Sequence, residues 1–284
     1  MDKSPHLWII SDSKPGHLNQ SLGLVEALHR QVPTITWQEI PAMSVWQSIR
    51  FAFARKKRVP KLLIATGHRT HFTLLILSKI MHVPAIVLMK PSLPLRWFDL
   101  CIVPEHDTPP ARSNIINSIG PLNRIQAATK EANSGLILVG GPSKHFEWLP
   151  EQLHAQIQQL IQHEQRNWTI AASRRTPEAT IQLLQTLANV KLVLATETDA
   201  DWLPKLLAKT ERCWVSQDSM SMIYEALTAG CDVRLLDVPT RGENRLTRGI
   251  QKLQLSGYLS SDPSPQLKLA EADRCAELIQ QRYF

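Results

Sequence analysis

The sequence predicts an α/β protein made of two tandem Rossmann-like domains, each a doubly wound parallel sheet. Three observations carry this expectation. At 284 residues the chain is longer than one average domain, so each half can bury a core of its own. Short β-like runs alternate with helical ones throughout, which is the pattern of βαβ units. Several strand runs are continuously apolar, as strands are when helices cover both faces of a sheet.

In the first half the strand-like runs are residues 6–10, 62–66, 85–89 and 100–103, with helical periodicity at 18–30 and 70–81. A second series begins at 136–139 and continues at 169–172, 191–195, 213–215 and 233–236, interleaved with helical candidates at 151–165, 177–187, 219–229 and 243–256. The polar stretch 127–134 separates the two series, so the domains are expected at 1–130 and 131–284. The final helical candidate, 266–282, could pack on either domain.

Composition excludes several classes. The N-terminus has no apolar stretch long enough for a signal peptide, and the most apolar region, 72–89, is broken by Lys79, His82 and Pro84. A cytoplasmic chain without a membrane span is the expectation. Cys101, Cys213, Cys231 and Cys275 are far apart without CxxC spacing, which argues against a zinc site and a disulfide framework and for reduced core thiols. Charge is uneven: residues 1–130 hold 16 Lys/Arg against 7 Asp/Glu, and no acidic residue lies between Glu39 and Asp99. Such a surface attracts phosphates or anionic lipid. Nucleic acid is disfavoured, because no aromatic recognition motif or helix-turn-helix signature accompanies the charge.

Within the basic half, the segment 45–61 places Trp46, Ile49 and Phe53 on one helical face beside Arg50, Arg55, Lys56, Lys57 and Arg58. This is the pattern of an interfacial membrane contact, or of a helix packed on its own domain with a solvated basic end.

In parallel sheets, ligands bind beyond the carboxyl ends of the strands, where amides and helix N-termini meet anions. The first such loop is SDSKPGHLNQS, in which Gly16 permits close approach or positive φ and His17 lies at the mouth of the site. Gly67-His68-Arg69-Thr70 repeats the strand, glycine, helix logic, and Glu105-His106-Asp107 puts titratable groups at another strand end. The last reads as an extended, polar cleft lining rather than a metal site, since adjacent residues of an extended segment point in alternate directions.

In the second half, Gly140-Gly141-Pro142-Ser143-Lys144 offers amides and a cation, and Ser173-Arg174-Arg175 follows the next strand. Neither loop fits GxxxxGK[ST], which excludes a Walker-type ATPase. The segment QDSMSMIYEALTAG supplies Asp218 or Ser219 as a helix cap, the amides of Ser219, Met220 and Ser221 to face a diphosphate, and Glu225 one turn deeper on the same face as Ser221.

Taken in order, SDSKPGHLNQSLGL, PEHD at 104–107, GGPSKH at 140–145, SRRTP at 173–177 and QDSMSMIYEALTAG at 217–230 resemble the bacterial relatives of the plant mitochondrial-fission (elongated mitochondria) family. That family looks like GT-B glycosyltransferases, two Rossmann-like domains around an interdomain cleft. The resemblance implies an inverting, metal-independent transfer from a nucleoside-diphosphate sugar, with no cofactor, to an envelope or lipid-linked saccharide at the inner face of the membrane. It further implies that Glu225 holds the ribose hydroxyls, that Arg174, Arg175 and the 219–221 amides hold the diphosphate, and that the Gly67 loop contacts acceptor or donor phosphate. His17 becomes the general base, for which histidine is suited because it titrates near neutrality, and Asp12 either orients the ring or is the base. Two alternatives stay open: a nucleotide-sugar epimerase or hydrolase on the same fold, and a non-catalytic, membrane-associated regulatory protein.

Overall fold

The computed structural model describes residues 4–55, 58–259 and 267–284. They divide into two units, Met1–Arg124 together with Ala270–Phe284, and Ile125–Leu269.

The first unit contains β1 (His6–Ser11), β2 (Thr36–Pro41), β3 (Leu62–Thr66), β4 (Ala85–Leu88), β5 (Leu100–Pro104) and β6 (Ile115–Ser118). They form one sheet in the order β2-β1-β3-β4-β5-β6, parallel at every pairing. Alternate side chains of each strand enter opposite cores. Leu7 and Ile9 pack with Leu24 and Leu28 of α1 (Pro15–Gln31), whereas Trp8 and Ile10 pack with Ala52 of α2 (Val45–Ala54) and Leu74 of α3 (His71–Met81). The apolar runs seen in sequence are therefore strands buried on both sides.

One face of this sheet has only α1 to cover it from the first 124 residues, and the C-terminal helix, Glu271–Tyr283, completes the cover with Ala272, Cys275, Ala276 and Ile279. Burying Ile279 alone contributes roughly 1.5–3 kcal/mol. Buried Glu271 accepts from the Ile119 amide at 2.9 Å and pairs with Arg274 at 2.7 Å, which sets where the helix docks. The terminal helix thus belongs to the first unit and not to the second.

The second unit contains β7 (Glu131–Val139), β8 (Asn167–Ala172), β9 (Lys191–Leu194), β10 (Thr210–Ser216) and β11 (Asp232–Leu236), all parallel in the order β11-β10-β7-β8-β9. One face is covered by α4 (Pro150–His163) and α5 (Glu178–Gln185), whose Leu153, Ile157, Leu160 and Leu184 meet Ile137, Val139, Trp168 and Ile170. Against β7, β10 and β11 lie α6 (Trp202–Lys209) and α7 (Met220–Thr228), and α8 (Arg245–Leu255) follows, capped by Asn244. The stretch 127–134 lies just inside the second unit, which starts at Ile125, and from Glu131 it is the exposed start of β7. The elements missed in sequence are β2, β6 and α6. The two strands lie toward or at sheet edges and lack a continuous apolar run, and α6 has only eight residues. Among the described residues no helix is long and apolar enough to cross a membrane.

Lys130 shows what the polar stretch does. Its ammonium donates to the carbonyls of Leu207 at 3.2 Å, Ala208 at 3.0 Å and Ala229 at 2.6 Å, at the C-terminal ends of α6 and α7. A cation there satisfies orphan carbonyls and the negative helix ends together, although burial pulls the Lys130 pKa down. Lys130→Met should therefore lower the urea midpoint of the 125–269 unit by the equivalent of about 2–4 kcal/mol. A midpoint equal to the parent's would show that these carbonyls do not depend on the ammonium.

Candidate functional site

Each sheet reverses its strand order at the first strand of its unit: β1 lies between β2 and β3, and β7 between β10 and β8. Doubly wound sheets bind ligands at the carboxyl ends of such strands. The loops after β1, β3, β7 and β10 are therefore the candidate positions, and all four carry residues expected from sequence.

In the first unit Asp12 follows β1, and Pro15 opens α1, so that Gly16 and His17 fall in its first turn. His17 Nδ1 lies 3.0 and 3.1 Å from the two Asp12 carboxylate oxygens, and the Lys14 amide donates to Asp12 at 3.3 Å. The Asp12 carboxylate is 2% exposed and the His17 ring 29%. Burial opposes ionisation of Asp12, but the hydrogen bond and charge of His17, with the Lys14 amide, outweigh it and hold the carboxyl below its usual value. With Asp12 ionised, Nδ1 carries the ring proton, and Nε2 presents the lone pair of the neutral ring.

Gly67 walls this pair. At φ 94° a side chain would be strained, and a Cβ would enter the His17 ring and come within 3.2 Å of Asp12 Oδ2. Gly67 is accordingly a packing surface for the imidazole. Gly16 needs neither close approach nor positive φ, contrary to the reading of its loop, because it sits inside α1 with open space where a Cβ would be. Beside Asp12 opens a cavity of about 350 Å³ lined by Ser11, Ser13, Met43, Ser44 and Arg69. Glu105-His106-Asp107 is not extended but a single 3-10 turn after β5, with the Asp107 carbonyl accepting from Lys90 Nζ at 3.1 Å.

In the second unit Asp218 ties the loops together. Its fully buried carboxylate accepts from Ser216 Oγ at 2.7 Å, from the Gly141 amide at 3.1 Å and from Arg175 Nη2 at 2.9 Å. Gly140 donates its amide to Ser216 Oγ at 2.8 Å, and a Cβ at Gly140 or Gly141 would collide with the Asp218 carboxylate or the Arg175 backbone. Arg175 also donates to Gly141 O at 3.0 Å, while Ser173 Oγ donates to Gly140 O at 3.0 Å and accepts from the Arg175 amide at 3.2 Å. Thr176 reaches the carbonyls of Val139 and Gly140 at 3.0 and 2.6 Å.

Several expectations are corrected by these contacts. Asp218 is not a helix cap, since its carboxylate is committed to the loops; the N-cap of α7 is Ser219, without a side-chain cap bond. The Ser219 amide is taken by Ser216 O at 3.3 Å, so the amides left open by the first turn are those of Met220, Ser221 and Met222. Ser173 and Arg175 shape the loop, and Ser143 Oγ accepts from the His145 amide at 3.3 Å. Arg174 and Lys144 are exposed, and neither makes a side-chain hydrogen bond or ion pair among the described residues. Ser216 and Thr176 were missed; both are short hydroxyl residues at or just past strand ends, and that position is the signal that could have found them.

Glu225 lies on α7, half-buried, with no hydrogen bond or ion pair to its carboxylate among the described residues. Burial pushes its pKa up to about 7. A carboxylate held in this condition without a partner is a candidate for contact with a ligand.

The comparisons agree with this architecture. A Listeria monocytogenes structure assigned as a UDP-N-acetylglucosamine 2-epimerase matches 97% of this chain and 94% of its own, at TM-score 0.64 and 10% identity. The E. coli heptosyltransferase WaaC with ADP matches 97% of this chain and 99% of its own, at TM-score 0.53 and 10% identity. At such identities the likeness shows the fold, two Rossmann-like parallel-sheet domains of the GT-B type. Among sequences, the uncharacterized protein RP120 of Rickettsia prowazekii is 22% identical, over 79% of this chain and 81% of its own. The family model described as mitochondrial fission ELM1 matches residues 15–283, nearly the whole chain, and the chain belongs to that family.

Proposed function

We propose that this protein is a glycosyltransferase that moves a sugar from a nucleoside-diphosphate sugar to a hydroxyl of an envelope or lipid-linked saccharide, presented at the inner face of the cytoplasmic membrane. The observation that carries the reading is the half-buried Glu225 carboxylate, without a partner among the described residues, on the helix whose open amides stand at the strand-order reversal of the second unit. A carboxylate suits two vicinal ribose hydroxyls, and open amides at a helix N-terminus suit a diphosphate. Arg174 and Lys144, exposed cations of the neighbouring loops without an ion pair among the described residues, take the charge that develops on the leaving group. These donors are cations and amides, so the reading requires no divalent metal ion.

The Asp12–His17 pair supplies the complementary chemistry. His17 Nε2 accepts the acceptor hydroxyl proton as that oxygen bonds to the anomeric carbon. The bond from that carbon to the diphosphate breaks, and its electron pair leaves with the nucleoside diphosphate. Asp12 keeps Nδ1 protonated and stabilises the imidazolium that forms, so its place is that of orienting group.

Two outcomes test the reading. The ionised form of Glu225 is the one that accepts ribose hydrogen bonds, so nucleotide-sugar affinity should rise about tenfold from pH 6 to pH 8, as a group with a pKa of about 7 ionises. Glu225→Gln should flatten that profile and weaken binding by roughly 1–3 kcal/mol, read by calorimetry. In the ligand-free protein the raised carboxyl contributes stability that is full below its unfolded value and lost as pH rises through about 7. The Gln variant should accordingly melt above the parent in alkaline buffer. A parent profile without pH dependence would remove Glu225 from the donor site.

The second test separates catalysis from binding. His17→Ala should lower turnover about 10²–10⁴-fold with donor affinity kept within a few-fold. Gly67→Ala, which pushes a methyl into the ring, should also lower turnover, whereas Gly16→Ala should leave it near the parent rate. Native turnover in His17→Ala would refute the base assignment, and turnover without any acceptor would identify an epimerase or hydrolase instead.

A further inference from the structure

Two of the three aromatic side chains of α2 face solvent. The fully buried residues are the small Ser48 and Ala52, with Phe51 half-buried edge-on to Trp8, while Trp46 is 78% and Phe53 58% exposed. Trp46, Ile49, Arg50 and Phe53 fall on one face at helical spacing. The stripe is therefore not the packing face of the helix. On α3, which packs beside α2 through Ser48 and Thr73, Phe72 is 56% exposed, and Lys79 lies two turns further along the same face. Aromatic exposure on two helices packed side by side marks an interaction surface.

The charged residues of the segment that carries the stripe have one sign. Arg50, Arg55 and Arg58 are exposed at or just beyond α2, with Arg55 stacked on the Phe51 ring at 5.6 Å. Lys56 and Lys57 belong to the same run of sequence but lie outside the described residues. Glu39 and Asp99, the nearest acidic residues on either side, leave 59 positions between them without a carboxylate. The helix itself is fixed before any partner arrives, by a capping box between Ser44 and Gln47 and by its seat on α3.

We propose that this face of α2, with Phe72 and Lys79 of α3, docks the first unit on an anionic lipid bilayer. Aromatic side chains seat at the headgroup level, and the surrounding arginines meet the negative surface. A second copy of the chain is the poorer occupant, because a two-fold interface would bring the basic rim against itself. The docking stands apart from the transfer reading, since it uses neither the Asp12–His17 pair nor the Glu225 loops.

The test is co-sedimentation of the full chain with vesicles of phosphatidylcholine alone and of phosphatidylcholine mixed with phosphatidylglycerol, at low and high salt. Binding is expected only with phosphatidylglycerol and should fade as salt rises. The triple variant Arg50→Gln, Arg55→Gln, Arg58→Gln should lose on the order of a hundredfold in partitioning. Trp46→Ser with Phe53→Ser should lose about tenfold or more. All these positions are exposed, so melting temperature and nucleotide-sugar affinity should stay at parent values, which keeps this test separate from that of the donor site. Equal binding of the parent to both vesicle types, or parent-like binding by both variants, would overturn the proposal.

Discussion

The buried Asp218 carboxylate is the contact on which the second unit's site depends. A charge removed from water is tolerated only when its lone pairs are matched, and here a hydroxyl, an amide and a guanidinium do so. Each comes from a different segment: Ser216 from the end of β10, Gly141 from the loop after β7, Arg175 from the loop after β8. Satisfying one carboxylate thus fixes three loops against each other. It also explains why glycine stands at 140 and 141, since any side chain there would occupy the space of the carboxylate or of the Arg175 backbone.

The same commitment divides the polar residues of these loops into two groups. Arg175, Ser173, Thr176 and Ser216 spend their hydrogen-bonding capacity on the loop itself. Arg174, Lys144, Glu225 and the first amides of α7 make no such bonds among the described residues. The first unit uses a related device on a smaller scale. Buried Asp12 holds Nδ1 of His17, and Gly67 packs against the Nδ1–Cε1 edge of the ring.

Both devices sit where strand order reverses, although the two sheets reach that point by different orders. The reason is geometric. At a reversal, successive crossover helices leave to opposite faces of the sheet, and the loops on either side part to leave a crevice at the carboxyl ends. Burial of both sheet faces is the condition for this arrangement, and in the first unit that condition is met only when the C-terminal helix covers Leu7, Ile9 and their neighbours.

The class of fold and the loops that matter were legible in the sequence because they rest on local facts. An apolar run such as 62–66 has few alternatives to a doubly covered strand, and a glycine or short polar residue following one marks a carboxyl-end loop. Edge strands such as β2 and β6 were not legible, since a strand with one covered side carries no continuous run. The roles inside the loops were not legible either. Arg174 and Arg175 are adjacent and chemically identical in sequence, and their difference arises when Asp218, more than forty positions away, takes one of them. Lys130 is one more polar residue of the stretch 127–134 until α6 and α7 bring three carbonyls to it. The C-terminal helix carries an apolar stripe in either context, and its place was set by which sheet had a face still open. Local propensity specifies which residues form helix, strand or turn. Which polar groups are consumed in holding the fold, and which are left for chemistry, depends on long-range partners that a local pattern does not contain.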